Sequence, residues 1–293
     1  MSIEKRNIIV PIDFSEQSKI ALSQTYNLAK MAKADITLLH VIDEALFESI
    51  LHLFKNNEEH ENMIRKEALE KLETLALEAR SKSGLVFNCR VEKGKIYETV
   101  TEIAEELEAM FIVMGTAGES SIKKKFIGSN AVRVIGDAHC PVITIKGQQH
   151  RSGCDIILLP LDLSKETKEK VVKCVEIAKF FQSVIKVITI VTTSDEFLIN
   201  KMERQMDQVL NFIKDHTVEC TGEFIKGNDI SDGVLAHAQE INADLIIIMT
   251  QQELEWTEYF IGTESQQIIN NSEIPVCSIR PIKRKDTTEY VLS

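Results

Sequence analysis

Ile8-Ile9-Val10-Pro11-Ile12-Asp13-Phe14-Ser15 recurs in the second half of the chain as Ile157-Leu158-Leu159-Pro160-Leu161-Asp162-Leu163-Ser164. Each is an apolar run with no polar alternation, closed by an aspartate and a serine. Such runs suit strands covered on both faces, as in a parallel sheet. The serine suits the N-cap of a following helix. Three further landmarks recur in the same order. Val91-Glu92-Lys93-Gly94 matches Phe224-Ile225-Lys226-Gly227, and Phe111-Ile112-Val113-Met114 matches Ile246-Ile247-Ile248-Met249. Cys140-Pro141-Val142 matches Ile274-Pro275-Val276. Four landmarks in register make an internal duplication. The 293 residues divide into domains over 1–147 and 153–282, with a basic tail over 283–293 that opens Lys283-Arg284-Lys285. The polar stretch from Gly147 to Gly153 joins them.

The first half alternates strand and helix signals. After the first strand, Ala21, Thr25, Leu28, Ala29 and Ala32 mark one helix face, and Ile36 to Ile42 forms a second strand. Ile64, Ala68, Leu72, Leu75 and Ala79 mark a long helix that stops near Gly84. A strand over Leu85–Val91 and a helix burying Val100, Ile103, Ala104 and Leu107 follow. Met110 to Met114 is a fourth strand, a helix spans about Gly128 to Gly136, and Pro141 to Ile145 is a fifth strand. This β-α-β-α-β-α-β-α-β order implies an α/β fold with right-handed crossovers. Between Asp43 and Asn57 the pattern is irregular. Leu46, Phe47, Ile50, Leu51, Leu53 and Phe54 are expected exposed or half-buried there, as a hinge or interaction segment. The second half lacks much of this insert.

The fourth strand runs into Gly115-Thr116-Ala117-Gly118, and Gly128-Ser129-Asn130 opens the next helix. Glycines admit close backbone approach, and free N–H groups at a helix start attract anions. The spacing is neither a P-loop nor G-x-G-x-x-G. In open α/β sheets ligands bind beyond the carboxyl ends of the strands, where the winding reverses. With strand order 3-2-1-4-5, Asp13, Val41 and the glycines meet in one crevice. A carboxylate facing a phosphate loop suits a ligand with a sugar or base between them, such as a nucleotide.

The net charge of −11 disfavours a nucleic-acid partner. No apolar run reaches the length of a membrane span, and no signal-peptide pattern opens the chain, so a cytoplasmic protein is expected. The six cysteines form no C-x-x-C pair and are expected as reduced, structural thiols. Lys123-Lys124-Lys125 either steers an anion or forms a solvated charge run. His52, Glu59, His60 and His139 lack metal-ligand spacing. His40 and His237 suit core or helix-face positions, and Phe126 and Trp256 suit packing. No base or nucleophile is organised for catalysis. Neither Ser-Gly-Gly-x-Asp-Ser nor His-x-Gly-His is present.

Val10-Pro11-Ile12-Asp13, Leu39-His40-Val41, Gly115-x2-Gly118-x9-Gly128-Ser129 and Cys140-Pro141-Val142 together resemble a tandem member of the universal stress protein family. The resemblance covers both halves. It implies two Rossmann-like domains of the adenine nucleotide alpha hydrolase type, each a five-stranded parallel sheet of order 3-2-1-4-5 with helices on both faces. It further implies ATP, or AMP or ADP, in the crevice. Asp13 and the main chain of Val41 would hold adenine and ribose, between Pro11 and Met114 as walls. Gly115, Gly118, Gly128, Ser129 and Asn130 would hold the phosphates, bridged by Mg2+ or Mn2+. Pairing through the last strand would make the two halves an internal pseudo-dimer, and association of two chains into a homodimer is a further expectation.

The second half departs from this pattern. It keeps Asp162, but Thr250 aligns with Gly115 and about Glu253 with Gly118, and the loop to Gly262-Thr263 is one residue shorter. A glutamate among phosphates is repulsive. One nucleotide per chain is therefore expected, in an ATP-binding regulator of the stress response. The alternatives are a nucleotide-independent scaffold and a weak ATPase or phosphotransfer protein, with slow ATP hydrolysis as the most an enzyme reading allows.

Overall fold

The computed structural model describes residues 6–45, 47, 57–116, 127–146, 153–162, 167–250 and 262–281. In the first half the order is β1 (Asn7–Pro11), α1 (Glu16–Ala32), β2 (Asp35–Asp43), α2 (Asn57–Ser83), β3 (Phe87–Gly94), α3 (Ile96–Glu106), β4 (Phe111–Gly115), α4 (Ser129–Asp137) and β5 (Val142–Ile145). The second half repeats it as β6 (Ile156–Pro160), α5 (Thr167–Phe181), β7 (Val184–Val191), α6 (Glu196–Asp215), β8 (Cys220–Lys226), α7 (Ile230–Glu240), β9 (Leu245–Met249), α8 (Thr263–Asn271) and β10 (Val276–Ile279).

The strands form one ten-stranded sheet of order β3-β2-β1-β4-β5-β10-β9-β6-β7-β8. Each half contributes the order 3-2-1-4-5, but the halves do not keep separate sheets. They fuse where β5 and β10 pair antiparallel, with Ile143 opposite Cys277. Every other pairing between the described strands is parallel. The central strands are buried along nearly their whole length, which is why they carry uninterrupted apolar runs.

Two apolar layers flank the sheet, and both continue across the seam. One contains Ile8, Val113, Leu72 and Ala21 of the first half with Ile157, Cys174, Phe181 and Cys277 of the second. The rings of Phe111 and Phe181 stack with centroids 5.9 Å apart, and the Arg6 guanidinium lies 4.6 Å from the Phe180 ring. The other layer joins Ile112, Val134 and Val142 to Ile246, Ile268 and Val276. Either half alone would expose part of these layers.

Ser15 caps α1, its hydroxyl oxygen accepting from the Ser18 N–H at 3.2 Å. Phe47 departs from its sequence expectation. It is buried, with the Lys93 ammonium 4.5 Å from its ring centroid. The lysine covers the ring as a cation over a π face, which no pattern around Phe47 announces. Leu46 and Ile50 to Phe54, with His52, lie outside the described residues, as do the joint over 147–152 and the tail after 281. Among the described residues no helix is long and apolar enough to cross a membrane.

Candidate functional site: the crevice between β1 and β4

β1 and β4 are neighbours, and their chains leave the sheet in opposite directions: β1 to β2 on one side, β4 to β5 on the other. A cleft opens at their carboxyl ends. It encloses about 900 Å³, part of it open solvent, between β1, β2, β4, α3 and α4. Pro11, Asp13, Val41, Met114, Gly115, Gly128, Ser129 and Asn130 all line it. Eight of the nine residues expected from the sequence thus converge. The ninth, Gly118, lies outside the described residues, together with Lys123 to Lys125 and Phe126.

The cleft lining mixes apolar residues, Leu39, Val41, Ile96, Val100 and Met114, with polar ones, Asp13, Ser18, Thr116, Ser129 and Asn130. Apolar walls with a few placed polar groups are the usual make-up of a small-molecule site.

Asp13 is exposed, and one of its carboxylate oxygens accepts from the Ser15 N–H at 3.0 Å and the Ser15 hydroxyl at 2.6 Å. The residue between them, Phe14, has φ 65°, a left-handed conformation unfavourable for an aromatic side chain. Strain of this kind persists only where its surroundings fix it. Here the Asp13–Ser15 turn closes over it, and its ring packs 4.8 Å from that of His40. His40 Nδ1 lies 2.7 Å from the carbonyl oxygen of Ile12. A carbonyl only accepts, so Nδ1 carries the proton. His40 holds the backbone one residue ahead of Asp13, a role its apolar sequence context hides.

Gly128 is the N-cap of α4 and brings no side chain to cap the helix. Its N–H donates to the Thr116 carbonyl at 2.7 Å, tying the helix entry to the end of β4. The first turn carries no acidic residue, so its amide dipoles open on the cleft uncompensated.

Gly115 also has a packing reason that its sequence does not announce. A Cβ there would lie 2.7 Å from Gln17 Cγ and 3.1 Å from the Gln17 carbonyl carbon. The glycine admits the first turn of α1. Gln17 uses that approach to donate through Nε2 to the Ile145 carbonyl at 2.7 Å.

The strand register corrects the alignment of the halves. Ile8 faces Phe111, and Ile157 faces Leu245. Gly115 faces Ile145, and Met249 faces Ile279. Met249, not Thr250, therefore stands in place of Gly115. Thr250 stands for Thr116, and their N–H groups donate to Ile279 and Ile145 at 2.9 and 3.1 Å. By count Gly118 then falls against Gln252 rather than Glu253, and the two loops have equal length. Residues 251–261, Glu253 and Trp256 among them, lie outside the described residues. Two apolar runs that both end in methionine match equally well one residue apart, and only the pairing decides.

The second crevice is nonetheless altered. Counted back from the left-handed residues that end α1 and α5, Lys33 and Gln182, Lys170 takes the place of Ala21. Its ammonium is buried, 2.8 Å from the Pro160 carbonyl oxygen and 3.3 Å from Asp162 Oδ2. The Thr167 hydroxyl donates to Asp162 Oδ1 at 2.9 Å. The Asp13 counterpart is thus turned onto α5. At α8, Glu264 replaces Asn130 in the first turn and supplies the negative charge that an anion would bring. Thr189 stands in place of His40, and its buried hydroxyl has no partner among the described residues.

Two other histidines lie outside the cleft lining. His237 is buried on α7 with Nδ1 3.3 Å from Glu240 Oε2, and the exposed His139 lies 3.7 Å from Glu105. All six cysteines are free.

The fold and cleft define a tandem, doubly wound α/β protein with an open crevice at the switch point of its first half. Residues 5–146 and 154–280 each match the model of the universal stress protein family, and the chain belongs to that family. Universal stress protein MJ0577 of Methanocaldococcus jannaschii is 30% identical over 159 residues, covering 50% of this chain and 98% of the relative. MJ0531 of the same organism is 31% identical over 150 residues, covering 48% of this chain and 82% of the relative. A crystal structure of a universal stress protein from Archaeoglobus fulgidus superposes with a TM-score of 0.74 over 94% of this chain and 98% of that one. Their identity is 21%, so this likeness concerns the fold.

Proposed function

We propose that the chain is a nucleotide-binding regulator of the universal stress response that holds one ATP, or ADP or AMP, in the first-half cleft. One observation carries the reading: Asp13 and the first turn of α4, whose N-cap is a glycine, line the same cleft together with apolar residues. Asp13 accepts hydrogen bonds from ribose or adenine, seated against Val41 and Met114 beside Pro11. Gly115, Gly128, Ser129 and Asn130 receive the phosphates, with Gly118 on the connecting loop. The Ser129 hydroxyl and the Asn130 amide oxygen are neutral oxygen donors, which suit a hard cation carried in on the phosphates. Mg2+ or Mn2+ would supply charge neutralisation there. The second half takes no nucleotide, since Lys170 and Glu264 occupy the charge positions the ligand needs.

Acid denaturation of the purified chain followed by chromatography tests this reading. Release of adenine nucleotide at about one per chain supports it. A chain that releases none and also fails to bind added ATP contradicts it.

A further inference from the structure

Among the described residues the seam between the halves meets the entry of α4 through Asn270 and Ile127. Asn270, in the last turn of α8, is buried, and its side-chain oxygen accepts from the N–H of Ile127 at 2.6 Å. Ile127 immediately precedes Gly128, the N-cap of α4. Two consecutive amides therefore fix the entry of that helix. Gly128 is held by Thr116 of its own half, and Ile127 by a side chain of the other. The first half in turn anchors Asn270, because the Lys146 ammonium donates to its backbone carbonyl.

Part of this arrangement is symmetric. Lys146 follows β5 and reaches the end of α8, and Arg280 follows β10 and reaches the Asp137 carbonyl at the end of α4, at 2.6 Å. The contact to Ile127 is not. Counted from Gly128 and Gly262, the place of Asn270 is taken in the first half by Gly136, which has no side chain to send across. The half with the altered crevice thus holds the other's helix entry, and Gly136 offers no side chain for the reverse hold.

We propose that Asn270 is a positioning residue for the first-half cleft: through it the second half sets the entry of α4, and so the amides that meet the ligand's anionic end. The claim about affinity rests on the nucleotide reading above; the claim about α4 does not. A buried N–H deprived of its acceptor is strongly unfavourable, so without Asn270 the entry of α4 shifts to find another partner.

The test uses the full chain with Asn270→Ala, Asn270→Ser, which is too short to reach, and Asn270→Asp, which keeps an acceptor. Hydrogen exchange is followed over residues 127–131 and over the seam strand Val276–Ile279, and ATP is titrated in parallel. The expected result is faster exchange at 127–131 in the Ala and Ser variants, with the seam unchanged and near-normal exchange in the Asp variant. ATP affinity falls at least about fivefold in the first two and recovers in the third. Wild-type exchange and affinity in Asn270→Ala and Asn270→Ser overturn the proposal, as does equal loss in all three variants. Should the native chain bind no ATP, the nucleotide reading fails, and the exchange arm still decides whether Asn270 holds α4.

Discussion

His40 Nδ1 donates to the carbonyl oxygen of Ile12 at 2.7 Å, so a side chain on β2 fixes the backbone that presents Asp13. Replacing His40 with Ala leaves that carbonyl without its donor and removes the ring against which the left-handed Phe14 packs. His40→Ala is expected to lower stability by about 1–2 kcal/mol in urea unfolding, and to weaken ligand binding further by loosening Asp13. His40→Asn, whose amide can still donate, recovers part of both. Unchanged stability in His40→Ala would show that the bond is idle.

Gly115→Ala places a methyl group 2.7 Å from Gln17 Cγ and 3.1 Å from the Gln17 backbone. The first turn of α1 must move, and Gln17 loses its bond to Ile145. A loss of about 1–3 kcal/mol is expected in thermal or urea unfolding. Stability equal to wild type would mean that α1 yields freely and that the glycine serves only the ligand.

In the second half, Lys170 is buried against Asp162, which is half exposed. Replacing the lysine with Met keeps the packing and removes the buried charge, so Lys170→Met is expected to stay within about 1 kcal/mol of wild type. Lys170→Ala also leaves a void and is expected to cost more, by about 2 kcal/mol. Equal losses in the two variants, read by urea unfolding, would place the value of Lys170 in its charge.

Burial pushes the thiols of Cys140 and Cys154 up to about 12. The unfolded chain ionises them near the ordinary thiol value of about 9, where the folded chain keeps its protons. Above that value the unfolded state binds fewer protons, so stability falls as pH rises from about 9 towards 12, and below it these groups contribute no slope. Cys154→Ala is expected to flatten the decline measured by urea unfolding across this window. The same burial predicts that Cys154, Cys174 and Cys277 react with a thiol reagent at pH 8 only after unfolding. Fast reaction of the native chain would contradict their placement.

The repeated apolar runs ending at Asp13 and Asp162 made the duplication and the parallel sheet legible, because strands covered on both faces leave no polar alternation. Asp13, Gly128, Ser129 and Asn130 were legible for the same reason: a residue just past a buried strand, or at a helix start, sits at the switch point by topology. What stayed hidden depends on contacts far apart in the chain. The glycine at 115 admits Gln17 of α1. Asn270 and Ile127 meet only because β5 and β10 fuse the two sheets. The one-residue slip between Thr250 and Met249 arose because apolar runs carry no register of their own. Lys170 lies in a helix rich in exposed lysines, and only the packing of α5 against the sheet buries its stem.

The central claim is one working nucleotide site per chain, built around Asp13. Calorimetric titration of the full chain with ATP and Mg2+, repeated on Asp13→Ala and Asp162→Asn, tests it most directly. The predicted result is one equivalent of ATP per chain, affinity reduced about tenfold or more by Asp13→Ala, and affinity unchanged by Asp162→Asn. Two equivalents in the native chain, no binding at all, or wild-type affinity in folded Asp13→Ala would contradict it.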